Sequence, residues 1–154
     1  MWQGSIVGIY VTGQARAPMQ WVEQAEAVAG EGLKGDRYCF GIGTFSAEAG
    51  TGREVTLIEL EAVEAISRDY GINANPGDLR RNLVTRNVPL NHLVARRFRV
   101  GDAVLKGIRL CEPCAHLESL TQPKLKRAMA HRGGLRAQIV TGGVIRVHDP
   151  VVPE

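Results

Sequence analysis

Glycine and proline recur so often in this chain that no long uninterrupted element fits between them. Eighteen glycines and seven prolines fall among 154 residues. These two residues are the strongest local breakers of periodic structure. The chain is therefore expected to build short strands and many turns rather than long helices. Its length suits one domain spanning 1–154. A domain of this size buries about 68–70% of its unfolded surface, so it needs neither a disulfide nor a metal to hold a core.

The segments between breakers bear this out. "GSIVGIYVT" (4–12) is rich in Ile and Val and stops at Gly13, which predicts a strand. "WVEQAEAVAG" (21–30) partly alternates and predicts another. "GEGLKGDRYCFGIGTFS" (30–46) holds five glycines in 17 residues and reads as a loop. "REVTLI" (53–58) is a short strand, after which the period changes. In "ELEAVEAISRDYG" (59–71), Leu60, Val63 and Ile66 line one face, acids crowd the first turns and Gly71 offers a C-cap. This is the clearest helix in the sequence. "GDLRRNLVTRN" (77–87) follows Pro76 and reads as a turn and a strand. "RRFRVGDAVLKGIRL" (96–110) alternates on both sides of a turn at Gly101-Asp102. "PKLKRAMAH" (123–131) predicts a short helix with Pro123 in its first turn. "LRAQIVTGGVIRVHDPVV" (135–152) predicts two strands joined as a hairpin at Gly142-Gly143. The strands do not alternate regularly with helices, which argues against a doubly wound parallel sheet. The expected fold is mainly β with peripheral helices (α+β), mostly antiparallel and barrel-like, with the 59–70 helix outside.

Charge and composition narrow the function classes. The net charge is +3, the pI is about 9.0 and aromatics make up only 5% of residues. This balance suits an anionic small molecule. It argues against nucleic acid, which calls for dense basic stripes and stacking platforms. Met1 to Val11 has no basic n-region, and no run reaches the roughly 18 apolar residues of a membrane span, so a cytoplasmic protein with no membrane role is expected. Three cysteines, an odd number, point to free thiols in a reducing compartment.

Two of those cysteines stand in "RLCEPCAHLESL" (109–120). Zinc would need a second close pair of ligands, and Cys39, His116, His131 and His148 supply none at paired spacing. A thioredoxin-like couple would need a βαβ context that the surrounding segments lack. Packing is the third reading, since free cysteine is among the most buried residue types, and it suits Cys39 and Cys111. Cys114 differs. Pro113 sets a turn before it, "AHLESL" can start a helix after it, and Arg109 and His116 are near in sequence to support a thiolate. Elsewhere, Arg80-Arg81-Asn82 offers guanidinium forks for a phosphate. The glycine-rich "GLKGDRY" can bring backbone N–H groups and Arg37 to an anion, or hold Asp36 and Arg37 as a structural ion pair.

The blocks "GLKGDRY", "GTFS", "REVTLIE", "LRRNLVTRNVPLNHLVARRFRVGD", "GIRLCEPCAHLE", "RGGLRAQIVTGGVIRV" and "DPV" occur in this order. Their order and spacing resemble a MOSC domain, the C-terminal domain of molybdenum cofactor sulfurases, which also occurs as small stand-alone bacterial proteins. The resemblance implies a strand-rich barrel and singles out Cys114 as the residue that carries sulfur as a persulfide or ligates molybdenum. It implies the molybdenum cofactor (molybdopterin) as ligand, with Asp36, Arg37, Arg53, Arg80, Arg81, Asn82, His116 and Arg132 as the expected binding set. The sulfurases' pyridoxal-phosphate domain has no counterpart in these blocks, so no pyridoxal phosphate is expected and a separate sulfur-donor or electron-donor protein is. His148 stands where relatives often have glycine. Two other functions remain open at this stage: a molybdenum-dependent reductase of N-hydroxylated compounds, and a metal-free module that binds an anionic ligand in a basic cleft.

Overall fold

The computed structural model describes residues 1–39, 41, 52–112 and 124–154. Seven strands close into a barrel: β1 (Gly4–Val11), β5 (Val55–Glu59), β6 (Leu83–Arg86), β7 (Arg97–Val100), β8 (Ala103–Leu110), β9 (Leu135–Thr141) and β11 (Pro150–Pro153). Round the ring the order is β1-β6-β5-β9-β8-β7-β11, and β11 pairs back onto β1. Every neighbouring pair is antiparallel except β5–β6. Parallel neighbours need a long crossover. Helix α1 (Leu60–Tyr70) is that crossover, leaving β5 at Glu59 and leading towards β6.

Alternating residues fill the barrel. Leu57, Leu83, Phe98, Leu105, Leu135 and Val151 are all fully buried in one core. Strand β1 shows how register adapts: its pairing with β6 shifts between Ile6 and Gly8, so Ile6 and Ile9, three apart, both enter the core. Val7 and Tyr10 face a second, outer cluster instead. That cluster joins Ile58 and Val84 of the barrel wall to Val63 and Ile66 of α1 and to Leu125 and Ala128 of the short helix α2 (Leu125–Ala128). Gly71 caps α1 in the left-handed conformation, as expected, and donates its N–H to Ser67.

A small sheet of β10 (Gly143–Arg146), β3 (Gln24–Val28) and β4 (Gly32–Leu33) adds Ala25, Ala27, Leu33 and Ile145 to the barrel core. Strand β2 (Gln20–Trp21) pairs with the end of β1. The strand expected over 21–30 is thus two strands, and the glycine-rich loop contains one, β4. The hairpin expected at Gly142-Gly143 does not form. Strand β9 pairs with β5 and β8, whereas β10 turns away to β3. The two glycines serve close approach instead: a Cβ on Gly142 would lie 2.7 Å from the Ala27 carbonyl oxygen, and one on Gly143 2.7 Å from that of Asp102. No helix among the described residues is long and apolar enough to cross a membrane.

Candidate functional site

The residues before β6 organise the candidate site. A 3₁₀ turn, Pro76–Leu79, begins with a capping box between Asn75 and Asp78 and ends at Arg80, whose φ of 60° is left-handed. From there the side chains reach different neighbours. Arg80 donates from Nη1 to the Ala17 carbonyl at 2.6 Å. Arg81 is buried and donates to three carbonyls: Nε to Gly133 at 2.8 Å, Nη1 to Leu79 at 3.1 Å and Nη2 to Cys111 at 3.2 Å. Asn82 ties three strands together. Its Oδ1 accepts from the Thr56 amide and hydroxyl, and its Nδ2 donates to the Tyr10 carbonyl at 3.1 Å.

Asp36 and Arg37 form a buried ion pair at 3.1 Å. The Asp36 carboxylate also accepts from the Thr12 and Tyr38 amides, which satisfies it by the charge-assisted bonds a buried carboxylate needs. Arg37 stacks on Tyr38 with its guanidinium carbon 4.6 Å from the ring centre. The Arg80 guanidinium lies near enough to be affected by both. Burial, and then the charge of Arg37, push its pKa below the ordinary arginine value, against the pull of Tyr38 and Asp36. A second guanidinium thus lies within electrostatic reach of the Asp36–Arg37 pair, bonded not to the carboxylate but to the Ala17 carbonyl.

Cys111 is buried, and its backbone is held on both sides: its N–H donates to the Gly134 carbonyl at 2.7 Å, and its carbonyl accepts from Arg81. Burial raises the Cys39 thiol, and Glu31 and Asp36 raise it further. Cys39 is therefore poorly suited to act as a thiolate at neutral pH. Pro113, Cys114 and His116 lie outside the described residues.

The structure pairs Asp36 with Arg37 and sets Arg80 within electrostatic reach of them, while the side chain of Arg81, next in sequence, turns to the Cys111 carbonyl. Arg53 precedes β5. Its neighbour Gly52 packs over β8, where an added Cβ would lie 3.8 Å from the Arg109 guanidinium carbon. Arg109 and Arg136 are partners across β8–β9. Arg132 serves the last turn of α1: with Arg68 it pairs with Asp69 and draws that carboxyl down to about 2. Among the described residues no three His, Cys, Asp or Glu side chains gather to hold a metal. The sequence reading missed Thr56 and Tyr38. Thr56 lies 26 residues from Asn82, and nothing local signals such a contact. The adjacency of Arg37 and Tyr38 in "DRY" is the signal that could have pointed to their stacking.

Residues 44–152 match the MOSC domain family. The chain belongs to that family. Its fold is similar to that of the YuaD protein of Bacillus subtilis, with 18% identity, a TM-score of 0.81 and coverage of 98% of this chain and 97% of that one. YiiM of Geobacillus stearothermophilus is similar at 16% identity and a TM-score of 0.74, over 98% of this chain and 75% of its own. YiiM of Escherichia coli gives 17% and 0.70, over 97% and 69%. No curated protein matches the sequence. At these identities the likeness to solved structures speaks for the fold, and the MOSC barrel of this chain is the mostly antiparallel, helix-flanked one its sequence suggests.

Proposed function

We propose that this MOSC protein binds an anionic, sulfur-bearing cofactor of the molybdenum–pterin kind, carries sulfur on Cys114, or does both. One observation carries the reading. Arg80 lies close enough to the buried Asp36–Arg37 pair for the Arg37 charge to depress its pKa, and the next residue, Arg81, holds the Cys111 backbone at the end of β8. A second, half-buried guanidinium beside an already satisfied ion pair favours an anion that completes the site.

The residues fit the anionic end of such a cofactor. Arg80 and Arg37 match a phosphate by their planar forks. Arg81 spends its donors on the chain itself, so its part is to position the Cys111 backbone rather than to grip a ligand. When bound, a molybdenum–pterin centre supplies two-electron redox chemistry. In the sulfur-carrier role, the Cys114 thiolate attacks the outer sulfur of a donor persulfide. A new S–S bond forms at Cys114 Sγ as the donor's S–S bond breaks, and the electron pair leaves with the donor's thiolate. No outside oxidant is needed.

The test is elemental analysis of protein from a molybdate-fed host, together with cyanide-labile sulfur after incubation with a persulfide donor. Molybdenum or labile sulfur should be present in the wild type and lost in Cys114→Ser. Arg80→Ala should weaken a phosphate-bearing ligand by roughly tenfold or more. If neither element rises above the Cys114→Ser background, the reading fails.

A further inference from the structure

A cavity of about 840 Å³ opens beside the segment that links β6 to β7. It has an apolar side and a cationic side. Trp2, half-buried against the barrel core, and Leu93, buried but for a small accessible part, form the apolar side. His92 and Arg96 stand exposed on the other. Arg97 closes the rim and is neutralised by Glu154 at 2.6 Å. Arg96 has no acidic partner among the described residues, so the cavity keeps an unspent guanidinium next to an indole.

The backbone that carries Arg96 is firmly held. The Ala95 N–H donates to the Gly107 carbonyl at 2.9 Å, and the Gly107 N–H donates to the Arg96 carbonyl at 3.0 Å. Ala95 sits at a φ of 64°, in the left-handed region that alanine rarely adopts. Gly107 is needed opposite, because a Cβ there would collide with the Leu93 carbonyl. Strained backbone persists where its surroundings over-determine it, and ligand clamps are one such place. Concave sites with apolar walls and a few fixed polar groups are the usual form of small-molecule sites, and this volume lies within their range.

We infer that this cavity is a second binding site, for a planar aromatic compound that carries a phosphate or carboxylate. The ring stacks on Trp2 and the anion meets Arg96, with His92 beside it. The site uses no residue assigned above to the cofactor, so it stands or falls independently of that reading.

Trp2 reports on the site directly. The chain has two tryptophans, so in a Trp21→Phe background the fluorescence comes from Trp2. Adenosine 5′-monophosphate should quench it saturably, with a dissociation constant of about 1 mM or tighter. Adenosine alone and ribose 5-phosphate alone should each bind at least about tenfold more weakly. Arg96→Ala, an exposed change that should leave the circular dichroism intact, should weaken the nucleotide roughly tenfold or more. Cys114→Ser should bind like its parent. Absence of saturable quenching by both the nucleotide and phenyl phosphate overturns the inference, as does nucleotide binding that Arg96→Ala leaves unchanged.

Discussion

Arg81 shows how a buried charge can be spent on backbone alone. Its three acceptors are carbonyls from three separate segments, and two of them lie 30 and 52 residues away in sequence. A doublet of arginines reads equally well as a phosphate fork or as such a staple, because the sequence does not reveal distant carbonyls. Asp36 and Arg37 are adjacent, and there the ion pair was legible. Arg81→Ala leaves three carbonyls short of a donor and should cost about 3 kcal/mol or more in urea unfolding. Arg81→Lys should recover little of this, since a point charge cannot reproduce the fork. Glu54 poses the opposite case. Burial raises its carboxyl, against the Ile139 and Gly30 amides that both donate to Oε1. A raised carboxyl holds its proton more tightly folded than unfolded. Its contribution to stability is therefore whole below the ordinary carboxylate range and is lost as pH rises through the raised value. Glu54→Gln keeps an oxygen for both amides and removes the ionisation. It should melt no lower than the wild type at neutral pH, and its stability should vary less as pH rises above the ordinary carboxylate range. A Gln variant that melts clearly lower at pH 7 would show that the carboxylate itself is required.

Among the elements, legibility followed periodicity. Helix α1 was evident because Val63 and Ile66 repeat at helical spacing and both are buried. The β7–β8 hairpin was evident because each strand alternates and the turn residues sit between them. Gly142-Gly143 misled, because glycine chosen for close approach looks identical in sequence to glycine chosen for a turn. The real turn lies further on, between β10 and β11, and it uses His148 at a φ of 79°. Its N–H donates to Ile6 at 2.7 Å, and the Asp149 carboxylate caps it by accepting from the Arg146 amide at 2.8 Å. A left-handed non-glycine residue costs roughly 1–2 kcal/mol, while glycine returns about 0.4–1 kcal/mol to the unfolded chain. His148→Gly should therefore raise stability by about 0.5–1 kcal/mol, seen as a higher melting temperature with unchanged cooperativity. A drop would mean that the imidazole makes a contribution its backbone geometry does not reveal.

At the scale of the whole molecule, closure depends on a short last strand. Strand β11 pairs with β1 through Gly4–Val151 and Ser5–Pro150, and with β7 through three further partners. Val151 is fully buried in the core. Deleting residues 150–154 exposes two unpaired strand edges, which are templates for association. The truncated chain should lose its sharp near-ultraviolet dichroism and elute as aggregates in gel filtration, and a monomer with native dichroism would show that the ring closes without β11.

The ring also obeys a rule of parity. Travelling once round a closed barrel, strand direction must return to its starting sense, so the number of antiparallel neighbours is even. With seven strands, at least one neighbouring pair has to be parallel, and here it is β5–β6. Helix α1 is thus a consequence of an odd strand count. Such a barrel can enlarge by whole hairpins and keep its crossover, but one added strand would require a change in the number of parallel joints. Descendants of this architecture are therefore free to lengthen loops and add hairpins, whereas an eight-stranded version would have to abolish the β5–β6 parallel joint or add a second one elsewhere in the ring.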